Sequence, residues 1–252
     1  MGIEFRDLTV SYDGSKTILE GINWEIKKGD FWAVIGPNGA GKSTIFRTIL
    51  KRTIIMRGDV LIDGHSIKRL KIGDIARRAA VLLQTEMYDR SMKVGDYVAL
   101  GRFPYLKLLG RAGKVDREII HDALEKTNSL VLKDRLIGEL SSGELQRVRI
   151  ARVLAQGSEY IFLDEPTAHL DYEHKFEIME LLKKLKRTVV CILHDFDFAF
   201  RYARKILVLS EGKIEAQGDI ESVFNAELFR RVFRVRISRS DSHIHIDPLL
   251  QG

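Results

Sequence analysis

Apolar and polar residues fall into short blocks over the first third of the chain. The blocks predict strands at Phe5–Tyr12, Thr17–Ile26, Phe31–Ile35 and Val60–Ile62, with "YDGS" and "KKGD" as turns between the first three. Phe31–Ile35 ("FWAVI") contains no polar residue, the pattern of a strand covered on both faces. It runs into a glycine-rich loop, after which Ser43–Lys51 reads as a helix. Ala79–Leu83 is a further buried strand. Beyond Gln84 the apolar spacing turns helical and amphipathic through about Leu136, interrupted at "GRFPY" and by the loop "LLGRAGK". Three more apolar strands, Tyr160–Leu163, Thr188–Leu193 and Ile206–Leu209, alternate with helical stretches, which predicts a parallel sheet covered by helices. At the end, "VRISRSDSHIHI" alternates on both sides of "SDS" and predicts a hairpin with Val235, Ile237, Ile244 and Ile246 on its inner face. The organisation expected is a core of about residues 1–84 and 155–225, an inserted helical lobe at about 85–154 and a C-terminal β-hairpin extension at about 226–252.

Composition changes this picture little. A chain of 252 residues that is 45% hydrophobic is large enough for one substantial core with an inserted lobe. The net charge of +6 suits an anionic ligand, a membrane surface or nucleic acid, and selects none of them. Cys191 is the one cysteine, so an internal disulfide and a multi-cysteine zinc site are excluded; within "TVVCIL" it reads as a small packed hydrophobe. Charges interrupt the first ten residues, against a signal peptide, and no apolar run reaches the roughly 20 residues of a membrane span. A soluble, intracellular protein is expected. In the tail, His243, His245 and Asp247 share one strand phase and read either as metal ligands or as the polar face of a solvated hairpin. The nearby Arg230, Arg231, Arg234, Arg236 and Arg239 face either anionic lipid or solvent.

The chemistry sits at strand ends. "GPNGAGKST", Gly36 to Thr44, fits G-x-x-x-x-G-K-[ST] between a buried strand and a helix. Its glycines let backbone N–H groups turn inward around phosphate oxygens; Lys42 reaches the terminal phosphates and the Ser43 hydroxyl is placed to ligate Mg²⁺. In "YIFLDEPTAHLD", Asp164 ends an apolar strand on the edge where open α/β sheets bind ligands, and is suited to hold Mg²⁺. Glu165 follows, able to orient or deprotonate an attacking water.

In these residues the chain resembles the nucleotide-binding subunit of ATP-binding cassette (ABC) transporters, from about residue 3 to 225 and in the family's motif order. The resemblance implies an α/β fold: a P-loop NTPase core with a mostly parallel sheet, an N-terminal antiparallel β subdomain and an inserted helical lobe. Tyr12 in "VSYDG" matches the aromatic that stacks on adenine. Gly36, Pro37, Asn38, Gly39, Ala40, Gly41, Lys42, Ser43 and Thr44 match Walker A. Gln84 matches the Q-loop glutamine that touches Mg²⁺ and water. "LSSGE" matches the signature, "IFLDE" Walker B, "AHLD" the D-loop with Asp171, and His194 in "ILHD" the H-loop histidine.

The signature poses a question of its own, because the chain already carries one phosphate cradle. Ser141 to Glu144 reads S-x-x-E, a capping box ahead of a helix whose apolar residues include Leu145, Val148, Ala151, Val153 and Leu154. A capped helix start with Gly143 in its first turn still offers N–H groups to an anion. The resemblance implies that Ser141, Ser142, Gly143 and Glu144 serve ATP held by a second copy, in a head-to-tail dimer; Ser142 departs from the commonest signature, which has glycine there. It further implies Mg²⁺-dependent ATP hydrolysis with Glu165 as base, Lys42 bearing charge and His194 on the γ-phosphate. The chain would lie peripherally on the cytoplasmic face of the membrane, with integral membrane permease subunits as partners that dock a short helix near Gln84–Arg90, and indirectly with a solute-binding protein.

"VGDYVALGRFPYL" and "LHDFDFAFRYARKILVLSEGKIEAQGD" are similar to segments of cassettes serving iron–siderophore, haem and cobalamin importers, with siderophore iron placed first. The alternative is a soluble cassette ATPase such as that of iron–sulfur assembly. A nucleic-acid ATPase is disfavoured by the single cysteine and the absence of sustained heptads, and a non-hydrolysing clamp by the presence of Glu165 and His194.

Overall fold

The computed structural model describes residues 1–106, 112–223, 225–240 and 243–248, the side chains at 238–240, 243–246 and 248 excepted. The chain divides into two compact units, Met1–Arg69 with Val189–Gly252, and Leu70–Thr188.

In the first unit the alternating N-terminal stretches form β1 (Gly2–Ser11) and β2 (Thr17–Lys27), followed by β3 (Phe31–Ile35), α1 (Lys42–Ile49), β4 (Ile54–Ile62) and β5 (His65–Ser66). One antiparallel sheet has the order β2-β1-β4-β5, with Ile3 opposite both Ile26 and Ile62. Alternation sends Ile3 and Phe5 into the interior, and after an irregularity at Asp7, φ 45°, it resumes in the other phase with Leu8 and Val10. There Trp24 stacks on Phe5 and meets Trp32 edge-on, each at 5.3 Å between ring centres. β4 starts earlier than the expected Val60. Its first residues, Ile54 and Met56, are apolar yet 48% and 49% exposed, so no alternation marks them.

The second unit comprises α2 (Ile72–Arg78), β6 (Ala79–Leu82), α3 (Val94–Ala99), α4 (Lys114–Lys126), α5 (Ser142–Ala155), β7 (Tyr160–Asp164) and α6 (Tyr172–Lys184), with short 3₁₀ turns at Leu100–Tyr105, Leu130–Leu132 and Ile137–Glu139. β6 and β7 pair in parallel, Ala80 opposite Ile161. Helices α3, α4 and α5 pack on one another and bury Val94, Tyr97, Val98, Leu124, Val148 and Ala151. The helical pattern expected directly after Gln84 begins only at Val94; residues 84–93 contain no helix. Much of the expected loop "LLGRAGK" lies outside the described residues.

Returning to the first unit, the chain adds β8 (Thr188–Ile192), α7 (Phe196–Tyr202), β9 (Lys205–Ser210), β10 (Lys213–Asp219), α8 (Ile220–Val223), α9 (Ala226–Phe233), β11 (Val235–Ser240) and β12 (His243–Pro248). Strands run in the order β10-β9-β3-β8, with β3 parallel to β8 and β9. β3 and β8 are buried at every position, as a sequence whose one polar residue is Thr188 predicts. Cys191 is fully buried in β8, and burial pushes its thiol pKa up, which leaves it inert.

The tail begins with a helix where only a hairpin was expected. The Asn225 side chain caps α9 by accepting from the Leu228 N–H at 3.0 Å. Phe229 and Phe233 then pack against Phe196 at 5.0 and 4.9 Å. The hairpin itself is present, with Ile237 opposite Ile246. Of the three candidate metal ligands, the side chains of His243 and His245 lie outside the described residues, and Asp247 is exposed. Among the described residues no helix is long and apolar enough to cross a membrane.

Candidate functional site

The first unit holds the glycine-rich loop expected to bind phosphate. β3 delivers the chain to Gly36, and the loop closes at Gly41, the residue capping α1, with φ 95°. That left-handed φ favours glycine, and a β-carbon there would also push Leu19 Cδ2, 2.5 Å away, out of its place. The first residue of α1, Lys42, is 6% exposed and folds back across the loop, its Nζ donating to the Gly36 carbonyl at 2.7 Å and the Pro37 carbonyl at 3.0 Å. The ammonium is thereby presented to the loop's interior with fixed geometry. Ser43 is half-buried in the first turn of α1.

Tyr12 stands beside this helix. Its hydroxyl lies 3.0 Å from Thr44 Oγ1 and accepts from Arg47 Nη1 at 3.4 Å. The Arg47 guanidinium is 5.8 Å from the ring centre, yet the residue stays 44% exposed, with surface left for a flat ligand. Thr44, expected at the phosphates, thus also holds the aromatic ring, and Arg47 joins it without any motif having marked it. His194 follows the end of β8 and is exposed. The next residue, Asp195, caps α7 by accepting from the Asp197 N–H at 3.2 Å.

The second unit carries the carboxylates. β7 is buried throughout and ends in Asp164, 4% exposed. Glu165 follows with φ 52°, a left-handed conformation that a non-glycine residue adopts at a cost of roughly 1–3 kcal/mol and that clusters at functional sites. That turn points its carboxylate at Gln84, whose Nε2 donates to Oε2 at 2.7 Å. Two residues picked separately from the sequence, 81 positions apart, therefore meet.

Two residues of α5 tie this pair to that helix. Gln146 Nε2 donates to the Pro166 carbonyl at 2.9 Å, just past Glu165. Arg149 donates to Gln146 Oε1 at 2.9 Å and to the Leu83 and Gln84 carbonyls at 2.7 and 3.2 Å. Their spacing of i, i+3 places them on one helix face, but the sequence offers no sign of what that face meets. Glu86 adds ion pairs to Arg149 and Arg152 at 3.7 and 2.8 Å and accepts from the buried Tyr97 hydroxyl at 3.2 Å. Burial pushes the Tyr97 pKa to about 12.

The capping box predicted at Ser141 is formed. Ser141 Oγ accepts from the Glu144 N–H at 3.3 Å, and Glu144 Oε2 accepts from the Ser141 N–H at 2.8 Å. That return bond holds the Glu144 carboxyl below its ordinary pKa, with Arg135 at 3.2 Å assisting. Ser141 and Ser142 are exposed while Gly143 is buried. The other end of α5 is tied by Arg102, whose Nη1 donates to the Ala155 carbonyl and whose Nε donates to Asp116, each at 2.9 Å. Asp171, expected in the D-loop, caps α6 by accepting from the His174 N–H at 3.0 Å, which lowers its pKa.

Among the described residues no three histidines, cysteines or carboxylates gather to form a resident metal site. Ser43 in the first unit and Asp164 in the second each offer a hard oxygen donor of the kind that Mg²⁺ prefers.

The chain is similar to known proteins over most of its length. The family model for ABC transporters matches residues 19–168. The ferric enterobactin transport ATP-binding protein FepC of Escherichia coli K12 is 38% identical over 249 residues, covering 97% of this chain and 92% of its own. The iron(3+)-hydroxamate import ATP-binding protein FhuC of Bacillus subtilis 168 is 37% identical over 247 residues, covering 96% and 90%. The dimeric structure of a bacterial ABC transporter cassette superposes with a TM-score of 0.76 at 28% identity, over 86% of this chain and 98% of that one. A phosphate loop, a strand-end carboxylate pair and a capped signature helix on one chain meet these matches at one conclusion: the chain belongs to the ABC transporter family, among its ATP-binding ATPases.

Proposed function

We propose that this chain is the ATP-hydrolysing subunit of an importer for metal chelates, with ferric siderophores ahead of haem and cobalamin. It acts on the cytoplasmic face of the membrane as a peripheral pair of copies beneath integral membrane permease subunits, which are fed by a solute-binding protein. The substrate assignment draws on relatives that are named for ferric enterobactin and hydroxamate import and align with nearly the whole chain.

In this reading Tyr12 stacks on the adenine, and the Gly36–Thr44 loop wraps the phosphates with Lys42 reaching the terminal ones. Ser43, Asp164 and Gln84 would hold Mg²⁺, whose charge offsets that developing on the transferred phosphoryl group. Glu165 accepts the proton of the attacking water; the Gln84 amide that donates to its carboxylate fixes the orientation of that base. His194 steadies the γ-phosphate. The signature residues Ser141, Ser142, Gly143 and Glu144, with Asp171 of the D-loop, face the nucleotide of the second copy.

The observation that carries the shared site is the start of α5. Its capping box satisfies the helix's own needs, yet Ser141 and Ser142 remain exposed at the positive end of a 14-residue helix. Residues 84–90, with Met87 fully exposed, supply the segment on which a permease helix docks.

Glu165→Gln tests the reading. The neutral amide cannot take a proton, so hydrolysis should fall by about 10²–10⁴-fold while ATP still binds. Light scattering should then show a dimer that accumulates with ATP and disperses without it. A variant that stays monomeric in saturating ATP rejects the shared site.

A further inference from the structure

One side chain that belongs to neither motif joins the D-loop to the signature. His174 lies in the first turn of α6, three residues after Asp171. Asp171 Oδ1 receives two hydrogen bonds from it, one from the backbone N–H at 3.0 Å and one involving imidazole Nδ1 at 2.6 Å. A carboxylate only accepts, so the proton in the second bond belongs to Nδ1. Capping needs the backbone bond alone. The side-chain bond does something else: it pins the ring.

The pinned ring lies on Gly143. A β-carbon at position 143 would stand 2.6 Å from His174 Cδ2 and 2.9 Å from Nε2, closer than such contacts occur. Only glycine lets the imidazole close over the first turn of α5, and the closure accounts for why Gly143 is buried beside two exposed serines.

We infer that His174 is a positioning residue for the signature, making the D-loop carboxylate and the nucleotide-facing turn of α5 move as one piece. A displacement of Asp171 drags the ring across Gly143, and a displacement of the signature pushes back on Asp171. The inference rests on the shared-site reading above and adds to it a mechanical link inside each copy.

The test is a double-mutant cycle in the Glu165→Gln protein, read as the ATP concentration giving half-maximal dimerisation by light scattering, with thermal melts to verify folding. His174→Ala should raise that concentration about fivefold, the coupling expected of residues in contact. Gly143→Ala should raise it too, because its methyl group displaces the ring. With the ring removed the methyl has room, so the double variant should be impaired clearly less than the product of the two single effects. A histidine that merely caps α6 predicts two independent factors that multiply. Multiplying factors, or a His174→Ala protein with an unchanged midpoint, overturns the inference and leaves the shared site standing. A Glu165→Gln parent that never dimerises overturns both.

Discussion

Replacing Arg102 by methionine probes how the signature helix is held from its far end. The Arg102 side chain is 8% exposed, and its guanidinium carbon lies 4.0 Å from the centre of the Tyr105 ring. Its donors reach Asp116 and the Ala155 carbonyl, each at 2.9 Å. Methionine preserves most of the packing of the stem and offers no donor. Ala155 is fully buried, and an acceptor there that loses its donor costs about 1–3 kcal/mol. The lost cation–π contact adds about 0.5–2 kcal/mol. Asp116 is 18% exposed and retains the Gly113 N–H at 2.9 Å, so its release adds little. The destabilisation expected is therefore about 2–4 kcal/mol. With a urea slope of roughly 3 kcal/mol/M, the unfolding midpoint followed by circular dichroism should fall by about 1 M. A midpoint within about 0.2 M of wild type would show that α5 needs no anchor at its C-terminal end.

Two other outcomes follow from the geometry. Glu144→Gln retains an acceptor for the capping box but removes the charge at the start of α5, which should cost about 0.5 kcal/mol near neutral pH. The depressed pKa of Glu144 means that this contribution is complete above its ordinary value near 4.5 and is lost as pH falls through the lower folded value. Melting temperatures of variant and wild type should therefore converge in acid; a gap that persists there contradicts the assignment. Met87→Asp places a charge on the fully exposed apolar tip of the 84–90 segment and should reduce co-purification of a membrane subunit about tenfold, the scale of a modest hot spot. Undiminished retention would move the docking site elsewhere.

The parts legible in the sequence are those that local physics dictates. β3 and β8 announce themselves because both faces are buried and every residue is apolar or uncharged. The phosphate loop and the Ser141–Glu144 box are readable because their bonds close within a few residues. β10 was invisible for the opposite reason: it alternates half-buried and exposed positions without one buried residue, and is held by its ladder to β9. α9 was hidden in a short run whose apolar positions, Leu228, Phe229 and Phe233, serve a helix face and not a strand face. Within the site, the expected residues stand near strand ends or helix starts, but several of the bonds that bring them together come from far along the chain. Gln84 with Glu165, Arg149 with Leu83 and His174 over Gly143 are pairings that no local pattern contains.

The aromatic trio of Phe196, Phe229 and Phe233 gives the end of the chain a role beyond decoration. Phe196 comes two residues after His194, and the rings wedged against it belong to α9. A truncation that stops before Ala226 would leave every ATPase motif untouched and still unseat the backbone that carries the histidine.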